Sequence, residues 1–187
     1  MPTILARRTL LMALPVSALL SACTDATQPS TAPPESGQAP TAGPGATTNP
    51  AARLDGVAMV VAKSPTCGCC TGWIEHAEAA GATVTVEHPA DLADTFSAAQ
   101  IDLNLQACHL TRIEDAVFVG HIPLRFVAEY LADPPPELRG LAVPGMPAGT
   151  PGMEAGGALD PYDVIALHTD GSTSVHAQVA TLADQEA

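Results

Sequence analysis

The sequence predicts an α/β fold in which helices cover a mostly buried sheet. One observation behind this prediction is the run VAMVVAKS at residues 57–64, whose first six residues are apolar, as in strands buried on both faces. Another is that such runs alternate along the chain with stretches whose apolar residues recur at helical spacing. About 135 residues, 53–187, follow this pattern, and that length suffices for one compact domain with its own core.

The first strand is followed by a helix and a second strand. Apolar residues recur at helical spacing from Trp73 to Ala80, and Gly81 can end the helix. Residues 82–89, ATVTVEHP, then alternate valines with polar side chains, as strands do. A strand–helix–strand unit of this kind is expected to be parallel and right-handed.

A second helix, a hairpin and a third helix come next. Asp91 is suited to cap the helix in DLADTFSAAQ. The segment HLTRIEDAVFVGH reads as two strands around a turn at Glu114-Asp115. An amphipathic helix, PLRFVAEYLADPPP, has Pro123 in its first turn and ends at the proline triplet.

The resulting order, β-α-β-α-β-β-α, is that of the thioredoxin and glutaredoxin fold. Thiols lie between the first strand and the first helix, where that fold keeps its active site. A long Gly/Pro/Met loop, residues 141–161, follows the third helix. A C-terminal β-hairpin around Asp170-Gly171 then extends the same sheet.

The N-terminal residues predict export. Arg7 and Arg8 precede an apolar run that is too short to span a bilayer, which is typical of a secretory signal. The signal, residues 1–23, ends in Leu-Ser-Ala-Cys, which resembles the lipobox of bacterial lipoproteins and makes Cys23 the lipidation site. Cleavage without lipidation, and the choice between the general and the twin-arginine export route, stay open. We expect a periplasmic, membrane-anchored protein of the cell envelope.

Residues 24–52 are expected to be a disordered tether. Pro, Ala, Thr, Ser and Gly dominate there, and large apolar side chains are absent. Such a segment cannot bury enough apolar surface to offset the entropy of ordering. The formal net charge of the chain is -13, which excludes nucleic acid as a partner because phosphate binding needs a basic face.

Three thiols crowd into the segment KSPTCGCCTGW. In the first turn of a helix they meet unpaired N–H groups and the positive end of the helix dipole, which favours the thiolate form. Cys67 and Cys70 form a C-x-x-C redox pair. Cys69 points about 100° away from Cys70, so the two cannot serve one disulfide partner. They can both hold something larger than a sulfur atom.

Distant residues are expected to join these thiols. Cys108 and His109 begin the third strand, which runs antiparallel to the first, so they lie near the thiol segment. His121 ends the fourth strand at the same edge, although its simpler interpretation is a residue that shapes the entry to the third helix. Met146 and Met153 stand in matching Pro-Gly-Met settings of the loop. Thiolates and thioethers are soft ligands that favour Cu(I).

Five motifs follow one another as in a known family. They are KSPTCGCCTGW, ACH, GHIP, RGLAVPGMPAGTPGMEAGG and PYDVIALHTDG, and together they cover nearly all of residues 57–180. In these motifs the chain resembles the CopG-type copper-resistance proteins, exported bacterial metal-binding proteins. Glu114-Asp115 departs from the expected pattern, since a glycine-bearing turn is expected there.

The resemblance implies a thioredoxin-like domain with a cysteine-bound Cu(I) site that can extend to several ions. It implies a periplasmic role in copper resistance, redox activity, and partners in copper transport or redox chemistry. The ligands it implies are Cys67, Cys69, Cys70 and Cys108, while Met146 and Met153 belong to the conspicuous loop of the family.

Other interpretations of the thiols stay open. Structural disulfides are the default in an oxidising compartment, but they do not explain the third thiol. A zinc site from Cys67, Cys70, Cys108 and His109 and an iron–sulfur cluster are further alternatives. The main hypothesis is a lipid-anchored Cu(I)-binding protein of copper homeostasis. The alternative is a thiol–disulfide oxidoreductase using Cys67 and Cys70, so whether the protein is an enzyme is open.

Overall fold

The structure is a computed structural model and describes residues 53–186. The predicted export signal, the lipidated Cys23 and the tether of residues 24–52 lie outside the described residues and stay predictions. Within residues 53–186, every helix is too short or too polar to cross a membrane.

Seven strands and three α-helices succeed one another in this part of the chain. Short 3₁₀ turns connect some of them. The elements are β1 Ala58–Lys63, α1 Gly68–Ala79, β2 Thr83–Glu87, α2 Leu92–Ala98, β3 His109–Ile113, β4 Ala116–Val119, α3 Leu124–Ala132, β5 Leu138–Ala142, β6 Tyr162–His168 and β7 Thr173–Val179.

The strands form one mixed sheet in the order β2-β1-β3-β4-β5-β6-β7. β1 and β2 pair in parallel on either side of α1 in sequence, which confirms the parallel pairing of the predicted strand–helix–strand unit. β1 and β3 are antiparallel, with Lys63 opposite His109. β6 and β7 pair antiparallel at the far edge, so the terminal hairpin does extend the sheet. The fold is therefore mixed α/β.

The β3–β4 hairpin turns where the sequence predicts. Ile113 faces Ala116 across a two-residue turn of Glu114 and Asp115. Glu114 has a φ of 51°, the left-handed region in which glycine is usually found. Glu114 thus adopts the left-handed conformation that a glycine-bearing turn would supply, and the hairpin forms despite this departure from the family pattern.

β5 was not predicted, because its residues carry a weak strand signal. It pairs in parallel with β4 and antiparallel with β6, and its register shifts between Leu138 and Gly140. Gly140 has a φ of 148°, and a Cβ atom there would collide with the carbonyl oxygen of Val117. Prolines before β5 and a glycine inside it are unusual in strands, so the sequence pattern does not indicate a strand there. The loop predicted from residue 141 therefore begins two residues too early, because β5 continues to Ala142.

Helices pack on both faces of the sheet. On one face, α1 and α3 contribute Trp73 and Phe126 to the larger of two apolar clusters. On the other face, α2 contributes Phe96, which packs with Leu110 and Val119. This arrangement places the start of α1 beside the start of β3, at one rim of the sheet.

Candidate metal centre

Three thiols lie at the start of α1. Cys67 is the N-cap residue, with extended backbone (φ -77°, ψ 101°) and no capping hydrogen bond from its side chain. Cys67 and Cys69 are half-buried, whereas Cys70 is fully buried. The unpaired N–H groups and the positive end of the helix dipole face this turn, so it is a suitable place for a negatively charged group.

Cys67 and Cys70 are joined by a disulfide, with their Cα atoms 5.5 Å apart. Cys69 and Cys108 are free thiols. The Sγ atom of Cys69 lies 3.4 Å from that of Cys67. The Sγ atom of Cys70 lies 3.5 Å from the carbonyl oxygen of Cys108, a contact that becomes a hydrogen bond only when reduction restores the thiol. The structure therefore describes the oxidised form of the centre.

The fourth sulfur comes from the other side of the sheet rim. Cys108 directly precedes β3, whose first residue, His109, pairs with the last residue of β1. As a result, the Sγ atoms of Cys67, Cys69, Cys70 and Cys108 all lie within 4.8 Å of one another. The antiparallel pairing of β1 and β3 brings together thiols that are far apart in the sequence.

Two buried imidazoles adjoin the thiols. The sulfur atoms of Cys70 and Cys108 and one ring nitrogen each of His109 and His121 also lie within 4.8 Å of one another. The two imidazole rings are 5.0 Å apart between centroids. This second donor set shares two sulfurs with the first, so six donor residues surround one small region.

A backbone carbonyl fixes the ring orientation and tautomer of His121. Its Nδ1 atom lies 2.7 Å from the carbonyl oxygen of Pro151, so Nδ1 carries the proton and donates it. The free lone pair of Nε2 then faces the Sγ atom of Cys108 at 2.9 Å. Burial lowers the pKa of His121, although the Pro151 carbonyl and the charge of Glu154 oppose the shift. The imidazole is therefore neutral, the form that binds metals.

His109 is more deeply buried. Its ring lies 4.9 Å from the Trp73 ring, and its Nδ1 atom is 3.5 Å from the Sγ atom of Cys108. Burial, together with the charges of His121 and Lys63, lowers the pKa of His109 to about 3. Nε2 has no hydrogen-bond partner among the described residues. The ring nitrogen that faces the thiols is therefore Nδ1, while Nε2 is a buried nitrogen without a hydrogen-bond partner in this part of the chain.

The Cys108 thiol is protonated in the metal-free protein. Burial and the neighbouring Cys69 raise its pKa to about 12, while the backbone and the charge of Lys63 partly offset the rise. A metal ion that binds this sulfur must therefore displace a proton.

The Gly/Pro/Met loop contacts the centre through its backbone. Gly145 forms a parallel bridge with Ala107, next to Cys108. Pro151 supplies the carbonyl that orients His121. Met146 is 55% exposed and Met153 is half-buried, so ligation by either thioether stays a prediction.

Gly152 holds this loop against α1. It has a φ of 84°, and a Cβ atom there would lie 2.7 Å from the carbonyl oxygen of Cys69 and closer still to the amide nitrogen of Trp73. A carboxylate oxygen of Glu154 accepts a hydrogen bond from the Gly152 amide at 2.8 Å and pairs with Nε2 of His76 at 2.6 Å. Only a glycine fits between the loop and the first turns of the helix.

Sequence reasoning missed two features of the centre. It did not assign the Pro151 carbonyl to His121, because nothing local signals a backbone contact across 30 residues. It also passed over Lys63, which is only 4% exposed. A charged residue that ends an apolar strand directly before a thiol segment is the signal that could have revealed it.

Comparisons with known proteins agree with these features. A family model described as "Protein of unknown function, DUF411" matches residues 105–153, which include Cys108, both buried histidines and both loop methionines. Two similar solved chains are "Copper resistance protein copG- Form 1" and "Copper resistance protein copG- Form 2". Both are 36% identical to this chain and cover 66% of it, with TM-scores of 0.62 and 0.63, and 97% and 98% of their own lengths are covered. No curated protein matches.

Proposed function

The chain belongs to the CopG family of copper resistance proteins, and from this premise we propose that it binds Cu(I) and contributes to copper resistance. The ligands are the thiolates of Cys67, Cys69, Cys70 and Cys108. The observation that carries the proposal is that these four sulfurs, from two distant parts of the chain, lie within 4.8 Å of one another.

The donor chemistry fits a soft cation. Thiolates select Cu(I) over hard cations. Neutral imidazoles suit copper as well, and Nε2 of His121 and Nδ1 of His109 both face the Sγ atom of Cys108. Six donors in two overlapping sets exceed what one four-coordinate ion uses, which supports more than one Cu(I). Met146 and Met153 are the candidates for further soft contacts from the loop.

The binding form is the reduced protein. A sulfur in the Cys67–Cys70 disulfide is not a thiolate and has to be released by reduction before it can bind a metal. Cys108 gives up its proton on binding, whereas His109 and His121 are already neutral. Bound copper would supply a one-electron redox couple, so the proposal extends to an oxidoreductase activity.

The location follows from the N-terminal sequence. We propose a periplasmic protein that is anchored to the membrane through a lipid on Cys23 and separated from it by residues 24–52. Its partners would be copper ions and the copper-transport or redox proteins of that compartment. The β1-α1-β2 unit, the antiparallel β3–β4 hairpin and α3, with thiols at the start of α1, support a thioredoxin-like domain.

A second candidate function is thiol–disulfide exchange. The disulfide between Cys67 and Cys70 at the start of a helix favours it, because such pairs pass electrons to other disulfides. Zinc is also a candidate ion, since Cys70, Cys108, His109 and His121 form a compact set of four N and S donors. An iron–sulfur cluster on the four thiolates is the remaining alternative.

Metal counting separates these functions. The parent protein is C23S, which keeps the four site cysteines and removes the fifth thiol. Reduced parent is titrated with Cu(I) against a competing chelator, and with Zn²⁺ in parallel, and iron is measured in protein isolated without chelators. Tight binding of more than one Cu(I) per chain supports the proposal. Negligible Cu(I) binding together with brisk reduction of insulin disulfides overturns it in favour of exchange.

The C69S variant adds a matched test. Exchange through Cys67 and Cys70 does not need Cys69, whereas the four-thiolate set does. We expect C69S to bind Cu(I) at least tenfold more weakly and to reduce insulin at the rate of the parent.

A further inference from the structure

Lys63 differs from every other cation of the described residues. It is the single lysine of the whole chain. Its side chain is 96% removed from solvent, and its ammonium has neither an ion pair nor a hydrogen bond to another residue of the range 53–186. The arginines of that range all have partners: Arg53 with Asp55, Arg112 with Glu87, Arg125 with Glu129, and Arg139 with the carbonyl oxygens of Ala99 and Gln100.

The position of Lys63 links it to the metal centre. It is the last residue of β1, four residues before Cys67. In the antiparallel ladder it lies directly opposite His109, and the side chains of such a pair project from the same face, about 5 Å apart at Cβ. That face also carries Trp73, which packs on the His109 ring.

Lys63 is only 4% exposed, and a cation held against the protein in this way is stabilised by a nearby anion. Among the residues that the structure describes, no carboxylate lies within ion-pair distance of it. Its ladder pairing with His109 places Lys63 beside the donor set, whose thiols become anions when they lose their protons.

We propose that Lys63 is the resident counter-cation of the thiolate centre. Four thiolates carry four negative charges, so a complex with fewer than four Cu(I) ions is anionic in a partly buried place. Lys63 compensates this charge without occupying a ligand position. The part of the inference that concerns copper rests on the proposed function, whereas the part that concerns thiolates does not.

The test compares charge-removing and charge-keeping variants on the C23S parent. K63M removes the charge at nearly constant length, and K63R keeps it. The control, R112M, removes the same charge from β3 where it pairs with exposed Glu87. Two quantities are measured: the Cu(I) affinity of the reduced protein against a chelator, and the rate at which iodoacetamide alkylates Cys69 and Cys108 in reduced, metal-free protein.

We expect K63M to weaken Cu(I) binding about tenfold, the size of one partly screened charge–charge interaction. Alkylation should slow severalfold, since the thiolate is the reacting form. K63R and R112M should stay within about twofold of the parent in both measurements. Circular dichroism and thermal melting verify folding, and K63Q replaces K63M if the latter does not fold.

Unchanged affinity and unchanged alkylation in K63M would overturn the proposal, as would an equal loss in K63R. If the parent binds no Cu(I), the proposed function fails, and the alkylation rates alone then decide the role of Lys63. In that case, slower alkylation in K63M together with an unchanged rate in K63R still supports the role of Lys63 as counter-cation.

Discussion

The helix side of the centre, Cys67, Cys69 and Cys70, and its strand side, Cys108, His109 and His121, are held in different ways. The helix side is partly exposed, and two of its three sulfurs are joined in a disulfide. The strand side lies between the sheet, Trp73 and the loop, and its imidazoles are fully buried.

The two sides therefore differ in whether the redox state of the protein changes their available donor atoms. Oxidation removes two sulfurs of the helix side from the donor set, whereas the strand side keeps its donors in either redox state. On the strand side, a neighbouring carbonyl also fixes the imidazole of His121, an arrangement that sets ring orientation and basicity in metal sites. The following predictions test whether this division holds.

The largest expected effect comes from replacing the shared strand-side sulfur. Cys108 belongs to both donor sets, whereas Cys69 belongs to one. We expect C108S to weaken Cu(I) binding by about a hundredfold or more, and C69S by a smaller factor, in chelator competition with the C23S parent. Equal losses in the two variants would contradict the division into two sides.

The next effect comes from the loop. G152A puts a methyl group against the Cys69 carbonyl and displaces the loop that holds the Pro151 carbonyl on His121. We expect a loss of about 2–3 kcal/mol in the free energy of unfolding and about tenfold weaker Cu(I) binding.

G145A is the matched control for this loop variant. Gly145 has a φ of 69°, similar to the 84° of Gly152, but a Cβ atom there meets nothing within 4 Å. It should lose about 1 kcal/mol and bind copper as the parent does. A G145A protein as weak in copper binding as G152A would show that the contact with α1 is not what matters.

A third effect is the pH dependence of stability in the metal-free protein. The pKa of His109 is about 3 in the folded protein, below its ordinary value of 6.5. The unfolded chain therefore binds more protons between these values, so stability is complete above pH 6.5 and falls as the pH drops toward 3. Urea unfolding should give about 2 kcal/mol less at pH 5 than at pH 7 from this group.

The variant H109F isolates this contribution, because it keeps a ring beside Trp73 and cannot be protonated. Carboxylates that titrate in both proteins cancel in the comparison. If the two proteins lose stability equally between pH 7 and pH 5, the buried neutral state of His109 is not the cause.

The smallest effect concerns the exposed methionine of the loop. Met146 is 55% exposed, and the loop reaches the centre through the backbone of Gly145 and Pro151. We expect M146L to change Cu(I) affinity by less than twofold and M153L, at the half-buried position, to change it more. A larger loss in M146L would place its thioether among the ligands.

Local patterns in the sequence determined most of the element order. The apolar run of β1, the helical spacing of α1 and the N-cap Asp91 all act between near neighbours, and the elements they predict are present. The position of the thiols at the start of α1 could be predicted for the same reason. Their proximity to Cys108 could also be predicted, because antiparallel pairing of β1 with β3 follows from the order of the strands.

Tertiary structure alone decided which atoms around the thiols are available for binding. The Pro151 carbonyl selects the free nitrogen of His121, β5 completes the sheet despite Gly140, and Lys63 is buried without a carboxylate. Each of these depends on segments that are distant in sequence and meet only after the sheet has formed. Spacing patterns describe which face of an element is apolar, and they carry no information about which distant backbone or charge that face will meet.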